Sequence, residues 1–167
     1  EVPFLRSESN SDDYSTLSDV VEEVKYKLNK LNMNFDNLSL LLPTAPLARV
    51  SDLKRGLELL KKNSFDYICP IVKYKYPVYR SLKFDSKSKE IAFAFKNNSS
   101  ERSQDLEELY HDAGQFYWSK YSTGLKSKNK RGFEIPSLYS QDIDTDDDWI
   151  LAEIKYRIIK KITDYEK

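Results

Sequence analysis

Between Leu17 and Val72 the sequence switches twice between two periodicities, and this alternation limits the fold more than any other feature. Apolar residues at 17, 20, 21, 24, 28 and 31 share one helical face, with Ser15 or Thr16 placed to cap it. Asn37 to Pro43, NLSLLLP, is a short apolar run bounded by turn formers, the pattern of a strand buried on both sides. Ser51 then opens a second helix, SDLKRGLELLKKN, with Leu53, Leu57 and Leu60 inward and lysines at the C-terminal end, where the helix dipole favours them. Asp66 to Val72 is a second buried strand. Helix, strand, helix, strand predicts an α/β fold with a mostly parallel, Rossmann-like sheet covered by helices.

Beyond Val72 the pattern changes. Residues 74–84 and 90–95 are aromatic and alternating, with DSKSK as a turn between them, which predicts an antiparallel excursion. Residues 96–109 are polar and predict a loop or short helix, Ala113 to Ser119 a strand, and residues 120–134 an exposed basic loop. Asp146 to Lys161 has the period of a long amphipathic helix. No repeat or linker divides residues 1–167, so one domain is expected.

Composition excludes several classes. Lys plus Arg and Asp plus Glu both number 27, so the zero net charge gives no global attraction to nucleic acid or an anionic membrane, and neither is an expected partner. No apolar run approaches the length of a membrane span or signal-peptide core. The single cysteine, Cys69, lies in DYICPIV and reads as a buried strand residue. The chain begins with Glu1, its only methionine is Met33, and none of its four glycines builds a phosphate-binding loop, so a longer translation product is expected.

Three stretches carry candidate chemistry. In SQDIDTDDDW, Asp142 and Asp144 are separated by one residue and share a face if the segment is extended, with Ile143 turned to the core. Two neighbouring carboxylates repel unless a cation lies between them, and Mg²⁺ suits such oxygens. Asp146, Asp147 and Asp148 fit the first turn of the following helix. A calcium hand fails because its sixth position, which needs glycine, is Asp147 and the preceding residues are not helical. RSQDLEELYHDAGQFYW, from Arg102 to Trp118, brings a guanidinium, amides and the only histidine together; His111 reads either as a catalyst or as a structural histidine held by its neighbours. In LLPTAPLAR, Thr44 lies where a strand ends before a helix, the usual ligand-binding end of an α/β sheet.

PTAPLAR, RSQDLEELYHDAGQFYW and QDIDTDDDW, together with the opening EVPFLRS, closely resemble the cytidylyltransferases that activate nonulosonic acids. The YHDAGQFYW form is most similar to the pseudaminic acid branch. The resemblance implies a three-layer α/β fold and transfer of CMP from CTP to a sugar acid with release of pyrophosphate, using Mg²⁺, for surface glycan biosynthesis. It further implies a cytoplasmic homodimer, with an antiparallel extension, here about residues 74–112, in contact with the partner. It would make Asp142 and Asp144 metal ligands, and Asp144 and Arg102 catalytic. Arg80, Gln104, His111, Tyr117 and Thr44 would lie around the substrates. The family's N-terminal strand and basic glycine loop have no counterpart here, so these 167 residues alone are expected to be inactive or nearly so. Two alternatives stand beside this: a truncated or split product acting in subunit association, and a related sugar-nucleotide transferase.

Overall fold

The computed structural model describes residues 2–98 and 101–165. Glu1 and the serines at 99 and 100, within the expected 96–109 loop, lie outside them. The first helix, α1 (Leu17–Lys30), is capped by Thr16: its hydroxyl accepts the Asp19 N–H while Asp19 accepts the Thr16 N–H, a reciprocal capping box. Strand β1 (Asn37–Leu41) and helix α2 (Val50–Lys62) follow. Arg49, not Ser51, stands at the α2 N-cap, because buried Asp52 in the first turn grips the Arg49 guanidinium at 2.7 and 3.0 Å. The remaining elements are β2 (Tyr67–Lys73), β3 (Leu82–Phe84), β4 (Ile91–Phe93), β5 (Tyr110–Asp112), β6 (Phe116–Lys120), β7 (Lys130–Glu134) and α3 (Asp146–Tyr165).

The expectation of a mostly parallel sheet does not hold. The order is β1-β6-β2-β5, with β7 on the other side of β2, and only the β2–β7 pairing is parallel among the described residues. Because β6 is antiparallel to both β1 and β2, those two strands run the same way, as helical crossovers require. The alternating pattern therefore gives the strand direction correctly but not the neighbours, since β6 returns from later in the chain and enters between them. The basic segment 120–134 also contains β7, whose only buried residue is Phe133. A one-contact edge strand leaves no alternating signature. The antiparallel excursion is present but short: β3 and β4 pair only with each other, and Val78–Arg80 forms a 3₁₀ turn.

Helix α2 covers one face of the sheet. Leu60 meets Ile68, Val72, Phe116, Phe133 and Ile135 in the core. The helix approaches closely because Gly56 has no side chain; a Cβ there would stand 2.9 Å from the Trp118 ring. The Trp118 indole N–H donates to the Leu53 carbonyl at 3.0 Å, which satisfies its polar edge. Helix α1 packs against the 3₁₀ turn Gly124–Lys126, and Tyr121 donates to the Lys25 carbonyl. Among the described residues no helix is long and apolar enough to cross a membrane.

Candidate active site

The site is built on a break in the strand that pairs with β2. Ile68 faces Trp118, but three residues later Ile71 faces Asp112 instead of Gln115, so Ala113 to Gln115 are taken up as an excursion between β5 and β6. Gly114 turns it at φ 62, in the left-handed region that suits glycine. Asp112 accepts the Gly114 N–H at 2.8 Å. On the other side Asp142 is so close that a Cβ on Gly114 would lie 2.9 Å from its Oδ2. Two carboxylates thus meet over one glycine.

The segment carrying Asp142 is clipped to this excursion. The Ser140 hydroxyl donates to the Ala113 carbonyl at 3.1 Å, and the fully buried Gln115 amide donates to the Tyr139 carbonyl. The Arg49 guanidinium stacks 3.7 Å from the Tyr139 ring, tying the α2 N-terminus to the same segment. From α3, the Lys155 ammonium donates to the Ser140 carbonyl at 2.6 Å and to the Gln141 side chain at 2.9 Å. Together these elements enclose a cavity of about 240 Å³ lined by His111, Asp112, Gly114, Gln141, Asp142 and Lys155 among others.

The acidic cluster divides at Thr145. Ile143 turns inward onto a small apolar hollow beside Leu47 and Ala152. Asp148 accepts both the N–H and the hydroxyl of Thr145, and Thr145 accepts the Asp148 N–H, so the last aspartate of the cluster caps α3. Those bonds, the Thr145 hydroxyl first, hold the Asp148 carboxyl below its usual range. Asp142 lines the cavity; Asp144 is exposed and does not. Neither forms an ion pair among the described residues, and hard carboxylate oxygens one residue apart fit Mg²⁺. No group of three or more metal-ligating side chains exists among the described residues, so much of an Mg²⁺ shell would come from water and phosphate.

The other expected residues are dispersed. His111 lines the cavity, its Nδ1 2.8 Å from the Asp112 carbonyl and its ring against Tyr74 at 4.9 Å. Tyr117 stacks on Tyr67, and burial, followed by the charge of Asp112, pushes its hydroxyl well above the usual tyrosine range. Gln104 lines a separate hollow of about 260 Å³ with Lys73, Tyr74 and Lys75. Arg102 is exposed and pairs with Asp105 at 2.8 Å. Arg80 lies over the Phe93 ring and donates to the Glu101 carbonyl, at the base of the hairpin. Thr44 is half-buried in the turn after β1 and does not line the cavity. Sequence reasoning missed Asp112, Arg49 and Lys155. The signal for Lys155 was present: with Asp148, Ala152 and Ile159 it forms the inward stripe of α3, and a lysine on an inward stripe needs a polar reason.

No family model matches the chain. It is 31% identical over 163 residues to a pseudaminic acid cytidylyltransferase of Campylobacter jejuni subsp. jejuni serotype O:2, spanning 95% of this chain and 70% of that protein. A pseudaminic acid cytidylyltransferase of serotype O:23/36 is 30% identical with the same coverage. A Helicobacter pylori protein, pseudaminic acid cytidylyltransferase and UDP-2,4-diacetamido-2,4,6-trideoxy-beta-L-altropyranose hydrolase, is 31% identical over 146 residues, which is 83% of this chain and 27% of that one. A solved structure of CMP:2-keto-3-deoxy-manno-octonic acid synthetase complexed with CTP superposes with a TM-score of 0.53 at 14% identity, over 89% of this chain and 70% of the other, and shares the fold.

Proposed function

Because the chain belongs to the pseudaminic acid cytidylyltransferases, a branch of the CMP-nonulosonic acid synthetases and hence nucleotidyltransferases, we propose that it transfers CMP from CTP to pseudaminic acid and releases pyrophosphate. The observation that carries this reading is the convergence of Asp142 on Gly114 and Asp112, which joins the two longest family-like stretches at one cavity.

In the proposed step the sugar hydroxyl oxygen forms a bond to the α-phosphorus, the bond from that phosphorus to the departing pyrophosphate oxygen breaks, and the hydroxyl proton is lost. Asp142 and Asp144 would hold Mg²⁺, which when bound neutralises phosphate charge. Arg102, once released from Asp105, would place its guanidinium on substrate oxyanions, and Asp144 is assigned a catalytic carboxylate role. Thr44, Arg80, Gln104, His111 and Tyr117 are assigned to substrate contacts. Tyr117, raised in pKa, stays protonated and so remains a hydrogen-bond donor. The reaction is placed in the cytoplasm, where CTP is made.

The test is pyrophosphate release by the protein with CTP or UTP and with pseudaminic acid, a sialic acid or 2-keto-3-deoxy-manno-octonic acid. The reading expects the highest kcat/KM with CTP and pseudaminic acid; preference for UTP would favour a related sugar-nucleotide transferase.

A second reading, subunit association, is supported by two surfaces. The outer edge of β1 pairs with no strand among the described residues, and the β3–β4 hairpin presents Leu82, Phe84 and Ile91 to solvent. We assign the hairpin to a homodimer contact.

A further inference from the structure

The cavity beside Asp142 does not end at Lys155. Val72 and Ser137 line it and also line a neighbouring hollow of about 270 Å³ that contains Lys73, Lys75 and Glu134, so the two form one trough. Its charges are unevenly placed. Asp112 and Asp142 stand at one end. Lys73 is paired with Glu108 across its strand, and Glu134 acts on Lys73 and Tyr110. Lys75 and Lys155 have no carboxylate partner among the described residues. Lys155 uses two of its three N–H groups on Ser140 and Gln141; Lys75 has no hydrogen bond. The two ammonium groups are close enough to act on each other, since burial and then the charge of Lys75 lower the Lys155 pKa. Asp112, Asp142 and Glu134 line the same trough, but none pairs with Lys75 or Lys155 among the described residues, so both ammonium groups are available to an anion.

We propose that Lys75 and Lys155 form a binding pair for a substrate oxyanion, either the carboxylate of the sugar acid or a phosphate of the nucleotide. The proposal rests on the cytidylyltransferase reading for the identity of the ligand but not for the existence of the subsite. Lys155 is held by α3 and fixes the Asp142 segment, so an oxyanion bound to it is placed beside the Asp112–Asp142 carboxylates where transfer would occur. Lys75 lies on the loop after β2 and closes the far side of the trough.

The primary test is lysine labelling of the protein with an amine-reactive acylating reagent, read by peptide mass spectrometry. Probes are pseudaminic acid, inorganic pyrophosphate and a neutral hexose, with exposed Lys87 on the hairpin turn as reference. Lys75 and Lys155 should both be protected several-fold by at least one anionic probe and not by the hexose, relative to Lys87. Protection by pseudaminic acid assigns the pair to the carboxylate, and protection by pyrophosphate assigns it to the nucleotide. No protection by either overturns the proposal. Protection without CMP transfer would retain the subsite and reject the cytidylyltransferase reading. In kinetics, Lys75→Gln, which breaks no hydrogen bond or ion pair among the described residues, should raise the KM of the corresponding substrate about tenfold with kcat little changed. Lys155→Gln should raise the same KM and also lower kcat, because it frees the Asp142 segment, and Lys155→Arg should restore most of the loss; an unchanged KM for both substrates in both glutamine variants overturns the pair.

Discussion

Gly114 is the residue on which the site turns, for two separate reasons. Its φ of 62 disfavours any side chain, and its α-carbon is the surface on which Asp142 rests. Gly114→Ala should therefore cost about 1–2 kcal/mol in urea unfolding from backbone strain alone. It should also lower kcat by more than that stability loss explains, because Asp142 must move. Retained kcat in a destabilised variant would separate the backbone from the chemistry and reject the site. For the aspartates, Asp142→Asn and Asp144→Asn should each raise the Mg²⁺ concentration needed for half-maximal rate and lower kcat by about 10²-fold, whereas Asp147→Asn should change neither. At this scale the sequence was legible at the acidic cluster, which divides at Thr145 where residue type and spacing coincide, while Asp142 and His111 line one cavity. Asp112 was not, because it read as a neighbour holding His111; only the bent strand brings it over Gly114. Lys155 was legible only through the inward stripe that it shares with Asp148, Ala152 and Ile159.

The elements were legible where one sequence segment closes its own hydrogen bonds. Helices α1 and α3 begin at Thr16 and Thr145 because each threonine is answered three residues later by an aspartate, a purely local code. Thr145→Ala should lower the melting temperature by about 2–4 °C and loosen the Asp142 segment, since Asp148 also accepts from Gln141 at 3.0 Å. Strand order was not legible, because the entry of β6 between β1 and β2 depends on a return path some forty residues away. The N-terminal segment shows how one side chain can organise an element it does not belong to. Glu23 on α1 receives the Lys27 ammonium, the Ser7 N–H and hydroxyl, and the Asn10 amide, and so pins residues 7–10 to the helix. Led by Lys27, these donors hold the Glu23 carboxyl at about 2, down from 4.5. A depressed folded-state pKa means the stabilisation is complete above about pH 4.5 and is lost as the pH falls toward 2. Hydrogen exchange at Ser7 and neighbouring amides should accelerate through that window. Glu23→Gln should lack protection of these amides, relative to their intrinsic exchange rates, already at neutral pH, and a protection factor in the parent chain that does not fall as the pH drops would rule the pin out.

At the scale of the whole molecule the surface left to solvent has a pattern that the core does not explain. The β3–β4 hairpin forms its own two-stranded sheet, apart from the main one, and exposes Leu82, Phe84 and Ile91 at 51%, 62% and 66%. Helix α3 turns Leu151, Ile154 and Ile158 outward on a single stripe while Ala152 and Lys155 face in. A hairpin of three-residue strands buries little apolar surface by itself, and the proposed partner would cover these side chains. Zero net charge means that no long-range repulsion opposes a second copy of the chain. The homodimer assigned to the hairpin then makes a sharp prediction. Phe84→Asp places a charge at the centre of that apolar patch and should raise the dimer dissociation constant at least about tenfold. The change should be read as a shift toward monomer mass in light scattering over a concentration series. Because Phe84 is exposed within one chain, the melting temperature of the monomer should stay within about 2 °C of the parent. Ile158→Asp on α3 serves as the control: if it dissociates the dimer and Phe84→Asp does not, the contact belongs to the helix stripe and the hairpin assignment falls. If the hairpin is the contact, loss of the dimer should leave lysine protection in the trough intact, because no residue of β3 or β4 lines it.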